Sequence, residues 1–383
     1  MAVATVRAYP SSLNARSLKA TENVWSGRSI MRAIKADGHE IVIDERDFLG
    51  ALPRLVWHED EPIAHPSSVP LYFVSRLARE HVKVVLTGEG ADELLAGYGK
   101  YPRSLLNWHA GGAYAALTPD AVQGWVRHRV VPRLPGRLGR IAQRSFLGLP
   151  HTTESIFFDN FAGIRLNGLC SLLSPSRMET GRSPYAASRA WLDRARPGTP
   201  LLNRVLYADL KTYLVELLMK QDQMSMAASI ESRVPFLDHK LVEFVALLSP
   251  SAKLRGFTTK RLLRAAAAGV LPREILTRKK MGFPVPFGRW MRGPWHSMAR
   301  DVLLDQRSRE RGMTDPLAVE RLLDQHRAGV TDGGDAIWAL LNLELWFRSC
   351  IDRTGVPVLS APGGGTLPDT VTPVYEQATG VVA

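Results

Sequence analysis

The sequence has few cysteines and no long apolar run, and both shortages narrow what the protein can be. Its two cysteines, Cys170 and Cys350, lie far apart without metal-ligand spacing, which excludes a disulfide framework and a cysteine-based zinc site. No stretch approaches the roughly 18 uninterrupted apolar residues of a membrane helix. The first 20 residues lack the apolar core of a secretory signal. The sequence therefore predicts a cytoplasmic protein without a membrane partner.

The composition is that of a globular protein with a positive charge. Hydrophobic residues make up 45% of the 383 residues and charged residues 22%. Lysine and arginine outnumber the acidic residues by 49 to 37, a formal charge of +12. Such a charge could attract nucleic acid, a membrane surface or a phosphate-rich small substrate. The basic residues are scattered and are not interleaved with aromatic residues as on a base-stacking surface, so we expect no nucleic-acid partner.

The first hundred residues have the pattern of an α/β protein. Residues 1–21 have no clear period and predict an irregular segment. Two β-rich runs follow, HEIVID at 39–44 and VKVVLT at 82–87, with helical patterns at 26–36, 47–58 and 71–78. The run VKVVLT is typical of a strand buried on both faces of a parallel sheet. Strands that alternate with helices indicate an α/β domain.

The remainder of the chain predicts helices. Residues 107–199 are expected to form irregular helices joined by loops. An apolar stripe then runs from Leu206 to Leu218, and Asp238 is a plausible N-cap for a helix that ends at Leu248. A strongly apolar helix is expected from Ile337 to Cys350. Residues 356–383 have no period and predict a disordered tail.

The segment TGEGADE, at 87–93, carries the first sign of chemistry. It directly follows a predicted strand, and ligands of open α/β sheets bind beyond the carboxyl ends of the strands. Gly88 and Gly90 allow close approach of the backbone or a positive φ. Glu89 and Asp92 place two carboxylates on one loop, one to move protons and one to hold a divalent cation beside phosphate. The alternative is a strand-to-helix turn whose acidic residues stabilise a helix N-terminus.

Three sequence blocks resemble the synthetase domain of the glutamine-dependent asparagine synthetase family. They are 56–98 with VVLTGEGADELLAGY, 219–238 with MKQDQMSMA and ESRVPFLD, and RKKMGFPVP at 278–286. The blocks occur in family order, and the resemblance runs from about Val24 to Phe347. It implies a partial domain of this type over residues 22–350. The implied fold is α/β, an adenine nucleotide alpha hydrolase-like parallel sheet with a largely helical C-terminal half.

The resemblance also implies an ATP-consuming, amide-forming reaction. The family activates the side-chain carboxylate of aspartate with ATP, releases pyrophosphate, and lets ammonia displace AMP to leave asparagine. By position, Thr87, Gly88 and Gly90 match contacts to ATP. Glu89 matches the residue that accepts a proton from the nitrogen, and Asp92 matches a magnesium ligand. Lys280 matches a cation that stabilises adenylation. Lys280 reads otherwise as one more exposed cation. ATP and magnesium are the implied cofactors. Aspartate and ammonia from glutamine are the implied substrates, with a homodimer or a separate glutaminase chain as candidate partners.

The second block leaves two interpretations open. Its methionines are expected to pack in the core rather than to bind a ligand. Its polar residues either line the cleft or form a buried ion pair that fixes two helices together. The methionines are Met219, Met224 and Met226, and the polar residues are Asp222, Glu231 and Arg233.

The sequence departs from the family at two places. Residue 2 is Ala2 and the first cysteine is Cys170, so we expect no glutamine hydrolysis in this chain. The Ser-Gly-Gly-x-Asp-Ser loop that grips pyrophosphate in the family is absent, and TDGGD at 331–335 follows no predicted strand. The expectation is a truncated ligase domain. The alternatives are a β-lactam-synthetase-like or peptide-cyclase-like enzyme, and an inactive remnant that serves as a binding subunit.

Overall fold

The computed structural model describes residues 2–8, 28–62, 65–177, 183–277, 285–354, 357, 359 and 375–377, with 2–8 and 375–377 described by backbone alone. Lys280 lies outside these ranges. The strands are β1 Ala2–Ala8, β2 Asp37–Ile43, β3 Val84–Leu86, β4 Glu231–Arg233 and β5 Tyr375–Gln377. No helix among the described residues has both the length and the apolar character needed to cross a membrane.

Helices form most of the described chain. After a helical stretch at 28–33, they are α1 Glu45–Glu59, α2 Ser68–Arg79, α3 Ala91–Leu94, α4 Lys100–Leu117, α5 Asp120–Trp125, α6 Gly136–Gln143, α7 Leu166–Leu172, α8 Ala186–Asp193, α9 Leu201–Lys211, α10 Tyr213–Ala227, α11 His239–Leu247, α12 Pro250–Lys253, α13 Arg261–Ala266, α14 Arg273–Thr277, α15 Phe287–Arg292, α16 His296–Leu303, α17 Gln306–Glu310, α18 Pro316–Arg327 and α19 Gly334–Trp346. Short π-helical turns occur at Val126–Val130, Glu154–Phe158 and Phe347–Ile351, and 3-10 turns at Val131–Arg133, Asp159–Phe161, Pro175–Arg177 and Pro235–Leu237.

The strands form two small sheets. β2 lies between β1, which pairs with it in parallel, and β5, which pairs with it antiparallel. β3 and β4 form a second, parallel pair, with Val85 opposite Ser232. The predicted α/β class is therefore confirmed, with small parallel pairs in a mostly helical chain. Strand β4 was not anticipated because its three residues carry no strand signal of their own.

The predictions for the two ends of the chain are corrected where strands form in segments that were expected to be irregular or disordered. Ala2–Ala8 pairs along its whole length with β2, although residues 1–21 predict an irregular segment. The β-branched residues Val3, Thr5 and Val6 favour an extended chain, and the neighbouring strand supplies the hydrogen bonds. Tyr375–Gln377 also pairs with β2, inside the predicted disordered tail. The domain boundaries otherwise stay predictions.

Strand β3 is not buried on both faces, so that prediction is wrong. Val84 is 47% exposed and Leu86 is 73% exposed, whereas Val85 packs against the main core. Successive side chains of a strand point to opposite faces. An apolar run predicts an extended chain, but burial of both faces also needs a second layer, and the described residues supply none over Val84 and Leu86.

The main core joins the N-terminal α/β elements to the C-terminal helices. Asp44 and Asp47 form a reciprocal capping box at the start of α1, with N···O distances of 2.9 Å in both directions. The helix then buries Phe48, whose ring centroid lies 5.0 Å from that of Trp290 on α15 and 5.9 Å from that of Trp338 on α19. The described N-terminal and C-terminal parts therefore share one core.

Two helical predictions for the second half are confirmed with shifted ends. The apolar stripe from Leu206 to Leu218 is divided at Thr212 between α9 and α10. Asp238 caps α11, because its Oδ1 accepts hydrogen bonds from the N–H groups of Lys240 and Leu241 at 3.0 and 3.3 Å.

The side chains of the second block divide between core and surface. Met224 is fully buried on α10, but Met226 is 56% exposed, so the core prediction fails for Met226. Two residues further along a helix lie on the opposite side, which explains the difference. Glu231 and Arg233 form an ion pair of 2.5 Å with both side chains largely exposed. They share one face of β4, so the alternative of a buried ion pair between two helices is wrong.

Candidate active site

The TGEGADE segment forms a tight connection between β3 and α3. The Thr87 N–H donates to the carbonyl of Arg233 at 2.8 Å and extends the pairing of β3 with β4 by one residue. Gly90 adopts φ +88° directly before α3, and a Cβ atom there would collide with the side chain of Leu237. Both the backbone conformation and the lack of space require glycine. Gly90 therefore has a structural role in shaping the loop, and its contact with a nucleotide stays a prediction.

Thr87 and Gly88 leave one side of the loop open. A Cβ atom at Gly88 would meet nothing within 4 Å. The Thr87 Oγ1 atom is buried and has no hydrogen-bond partner among the described residues. Buried hydroxyl groups are nearly always paired in native proteins, so an unpaired one beside an open glycine suits a ligand that brings the partner. The two residues fit the predicted contacts to a nucleotide.

Asp92 is already neutralised by a lysine. The Nζ atom of Lys260 lies 3.0 Å from Asp92 Oδ1, and both side chains are mostly buried. Gly97 lies directly against this pair and has no room for a Cβ atom. The Lys260 N–H donates to Leu95 at 3.2 Å, which ties the start of α13 to the end of α3. Asp92 therefore joins two helices, whether or not it also binds a cation.

Asp92 fits a magnesium ion only as one ligand among several. In the described ranges, no group of three or more His, Cys, Asp or Glu residues could hold a metal ion. A magnesium ion that accompanies a triphosphate takes only one or two protein carboxylates and otherwise binds phosphate oxygens and water. Asp92 can supply such a carboxylate, which it would share with Lys260.

Glu93 is a fully buried carboxyl group and not a solvated helix cap. The Tyr98 hydroxyl donates to its Oε1 at 2.6 Å, and its Oε2 has no hydrogen-bond partner in the described part of the chain. Burial raises the pKa of Glu93, and the hydrogen bond from Tyr98 only partly opposes this. Burial, together with the neighbouring Glu93, holds the pKa of Tyr98 far above its ordinary value. The tyrosine therefore stays a hydrogen-bond donor.

Lys220 lies beside the loop and was missed at the level of sequence. It is buried on α10, and its Nζ donates to the Ser67 hydroxyl at 3.3 Å. Burial lowers the pKa of Lys220, and four carboxylates oppose this effect, those of Glu89, Glu216, Glu59 and Glu93. The residue spacing could have indicated that Lys220 is buried, because Lys220 follows Leu217 by three residues and precedes Met224 by four. All three are buried, and this spacing puts them on one helix face.

Glu59 adds a second buried acid from the end of α1. It is only 2% exposed, and burial raises its pKa to about 8 despite opposing interactions with Ser68, Asn342 and Lys220. The carboxyl group is therefore mostly protonated at neutral pH. The acidic run HEDE at 58–61 carries no pattern that marks Glu59 as buried.

A polar network extends from the loop towards α9. His65 lies 3.2 Å from Glu216, and the Tyr213 ring contacts both the His65 and the Tyr98 rings. Beyond them, Lys100 pairs with Asp209 at 2.8 Å, its Nζ lying 4.8 Å from the centroid of Tyr213. This network surrounds the Glu93 end of the loop with aromatic and ionic groups and fixes its position.

The TDGGD segment at 331–335, which looks similar to the family's Ser-Gly-Gly loop, has a structural role. Gly333 directly precedes α19, and its N–H donates to Nδ1 of the fully buried His326 at 3.1 Å. The other ring nitrogen of His326 lies 2.7 Å from the Gly288 carbonyl. The segment thus fastens α19 to α15 and α18, and it follows no strand.

Five of the six predicted site residues lie on one loop, and the sixth, Lys280, lies outside the described residues; the roles of all six stay predictions. The chain matches the Asparagine synthase family over residues 21–348. It is 35% identical over 331 residues to a putative glutamine-hydrolyzing asparagine synthetase of Mycobacterium tuberculosis, covering 84% of this chain and 48% of the relative. It is 31% identical over 323 residues to glutamine-hydrolyzing asparagine synthetase 1 of Bacillus subtilis, covering 82% and 48%.

A more distant relative has a different name. The chain is 24% identical over 328 residues to amidase chyE of Penicillium rubens, covering 76% of this chain and 45% of the relative. The chain spans about half the length of the curated relatives it matches.

Proposed function

The chain belongs to the asparagine synthase family, and on that premise we propose that it is a carbon–nitrogen ligase domain. In this proposal ATP adenylates a side-chain carboxylate, which releases pyrophosphate. Ammonia then attacks the acyl carbon and AMP leaves. Aspartate is the proposed acyl substrate, because the relatives at 31% identity and above are named asparagine synthetases.

The TGEGADE loop is the observation that carries this proposal. It stands at the carboxyl end of a parallel strand, where α/β proteins bind ligands. The open Gly88 and the unpaired Thr87 hydroxyl support a nucleotide site, and this position supports the adenine nucleotide alpha hydrolase-like fold. Glu89 is proposed to accept the surplus proton of the attacking nitrogen, a role that needs an ionised carboxylate close to the reacting atoms.

Magnesium and Lys280 complete the proposed charge balance. A magnesium ion would neutralise the phosphate oxygens, with Asp92 as its ligand from the protein. Lys280, outside the described residues, is proposed to stabilise the charge that develops during adenylation. The names of the relatives support ammonia from glutamine, which a separate glutaminase chain would supply. We further propose the cytoplasm, where ATP and aspartate are both present.

Two observations favour second candidates. The likeness to amidase chyE supports a related amide-forming enzyme with another acyl substrate. The ion pair between Asp92 and Lys260 supports a binding subunit that keeps the fold without adenylation, because the lysine holds the cation's place.

The test follows aspartate-dependent pyrophosphate release from magnesium ATP by the full chain with ammonium chloride. Release that requires aspartate supports the proposal, and Glu89→Gln should then lower amide formation by roughly 10²–10⁴-fold. Glu243→Gln, at an exposed position of α11, is the matched control and should change nothing. If the chain binds ATP but releases pyrophosphate only with other carboxylates, the result would support a related amide-forming enzyme with another acyl substrate. A chain that does not bind ATP would support the binding subunit.

A further inference from the structure

Helix α6 exposes its large apolar side chains and buries its smallest residues. Gly139 and Ala142 face the protein, whereas Leu138 is 67% exposed and Ile141 is 56% exposed. A surface helix of a globular protein normally turns its large apolar side chains towards the core. A Cβ atom at Gly139 would collide with the carbonyl of Leu134, so only a residue without a side chain fits on the inner face of this helix. The exposed apolar stripe is therefore built into the way α6 packs.

A stripe of arginines runs along the same helix beside the apolar stripe. Arg137 and Arg140 are three residues apart and so share one side of α6, next to the side that carries Leu138 and Ile141. The turns before the helix add further arginines, and the exposed set is Arg129, Arg133, Arg137 and Arg140. None of the four forms an ion pair within 4 Å with a described residue. Residues 121–153 contain no aspartate or glutamate, so nothing along this segment neutralises the charge.

Hydrogen bonds to α4 and to a neighbouring turn support this part of the chain. The buried Asn107 of α4 donates from Nδ2 to the carbonyl of Arg144 at 3.0 Å, and its Oδ1 accepts from the Phe146 N–H at 3.2 Å. Asn160 donates to the same carbonyl of Arg144 at 3.3 Å. Gly148 lies against the end of α6 with no room for a Cβ atom. Because the helix is held in place, binding a partner on its exposed side costs little ordering entropy.

We propose that α6 and the arginines before it form a docking surface for a membrane of anionic phospholipids. A lipid surface sets phosphate groups directly beside acyl chains, and an amphipathic helix lies in that plane with its apolar side inserted and its cations at the headgroups. Leu138 and Ile141 would enter the acyl boundary. Arg137 and Arg140 would bind the phosphates, whose oxygens match the guanidinium fork.

Surface docking needs no helix that crosses the bilayer. The finding that no described helix could do so therefore leaves this proposal open. The proposal replaces the expectation of no membrane partner, which rested on the lack of a long apolar run. It involves no residue of the candidate active site and does not rest on the proposed ligase function.

Two other anionic partners fit the surface less well. A nucleic acid supplies phosphates for the arginines but no apolar layer for Leu138 and Ile141. An acidic protein would be expected to meet an apolar centre within a polar rim. On α6 the arginines flank the apolar stripe on one side only, because Gly139 and Ala142 close the other side against the protein.

The test is sedimentation of the full chain with phosphatidylcholine vesicles, prepared with and without phosphatidylserine. The chain should bind the phosphatidylserine vesicles at least about 10-fold more strongly, and salt should weaken this binding. Arg137→Gln combined with Arg140→Gln should lower the binding at least about 10-fold. Leu138→Ser combined with Ile141→Ser should lower it to a similar extent, because the apolar side chains would no longer insert. Equal midpoints in urea unfolding would show that the variants are folded.

Two matched double variants serve as controls at exposed positions elsewhere. Arg309→Gln with Arg327→Gln makes the same change of charge, and Leu247→Ser with Leu317→Ser removes two exposed leucines. Both should leave the binding unchanged. Equal losses in the arginine control, or full binding after loss of Leu138 and Ile141, would overturn the proposal in favour of attraction by net charge alone. Failure to bind either vesicle would also overturn it. Binding of poly-glutamate or DNA that depends on Arg137 and Arg140 would in that case assign the surface to an acidic protein or to a nucleic acid.

Discussion

Two regions of this protein are built on opposite principles. The core around α1, α15 and α19 is apolar and closely packed, with Phe48 between two buried tryptophans. The region around β3, β4 and α10 buries Glu93, Glu59 and Lys220 instead, and it leaves Leu86 exposed. Apolar burial stabilises the first region, whereas desolvated charges lower the stability of the second. Active sites commonly retain such unfavourable features, and the rest of the fold compensates for them.

Among substitutions in the two regions, we expect the largest loss of stability in the apolar core. Trp338→Ala would remove a ring that contacts Phe48 and Phe287 and leave a cavity. We expect a loss of about 3–5 kcal/mol in the free energy of unfolding, measured in urea. Trp125→Ala, at a ring that is 60% exposed, is the control and should cost less than about 0.5 kcal/mol. Similar losses for the two variants would mean that the core is not the main source of stability.

The second prediction concerns pH and the buried acid Glu59. The pKa of its carboxyl group is about 8 in the folded chain against an ordinary value of 4.5, so the folded chain binds more protons than the unfolded chain between these limits. Stability is therefore expected to fall as pH rises through this window, by up to ~1.4 kcal/mol per pH unit. In Glu59→Gln the side chain stays neutral at every pH. Its free energy of unfolding, measured in urea, should therefore increase relative to that of the wild type from pH 5 to pH 8. A constant difference across this range would show that Glu59 is hydrated, and Glu243→Gln is the exposed control.

The third prediction contrasts two ion pairs of the site region. Asp92 and Lys260 are mostly buried, whereas Glu231 and Arg233 are more than half exposed. A double-mutant cycle with Asp92→Asn and Lys260→Met should give a coupling of about 1–3 kcal/mol. The same cycle on Glu231 and Arg233 should give about 0.2–1 kcal/mol. Asp92→Asn should also raise the magnesium concentration needed for activity, and an unchanged magnesium titration would leave Asp92 a purely structural residue.

The smallest expected effect on stability lies on the open face of β3. Leu86→Thr keeps a good strand residue and removes an exposed apolar side chain, so the free energy of unfolding should change by less than about 0.5 kcal/mol. Self-association, followed by light scattering, should decrease, because exposed apolar strands pair with other chains. Val85→Thr, on the packed face, should destabilise the chain without this benefit. Unchanged scattering in Leu86→Thr would show that this face is not the site of association.

The sequence predicts features that depend on interactions between nearby residues better than features that depend on distant segments. The cap at Asp238 and the helix after Asp44 depend on neighbours within four residues, and both were predictable. The exposure of Leu86 and the strand at Glu231–Arg233 depend on pairing between segments 147 residues apart, which no local pattern records. The site loop was found through its residue types. Lys220 was missed because a lysine in an apolar stripe reads as solvated until its surroundings are known.

The contact of Gly90 with Leu237 has a practical meaning for protein engineering. The loop at 87–93 owes its shape to residues 233–237, through the Thr87 hydrogen bond to Arg233 and the close approach of Leu237 to Gly90. A graft that moves the TGEGADE loop alone into another scaffold would lose this template, and the turn would relax. The unit to transplant is the loop together with the RVPFLD segment at 233–238, and the two pieces of chain must be moved together.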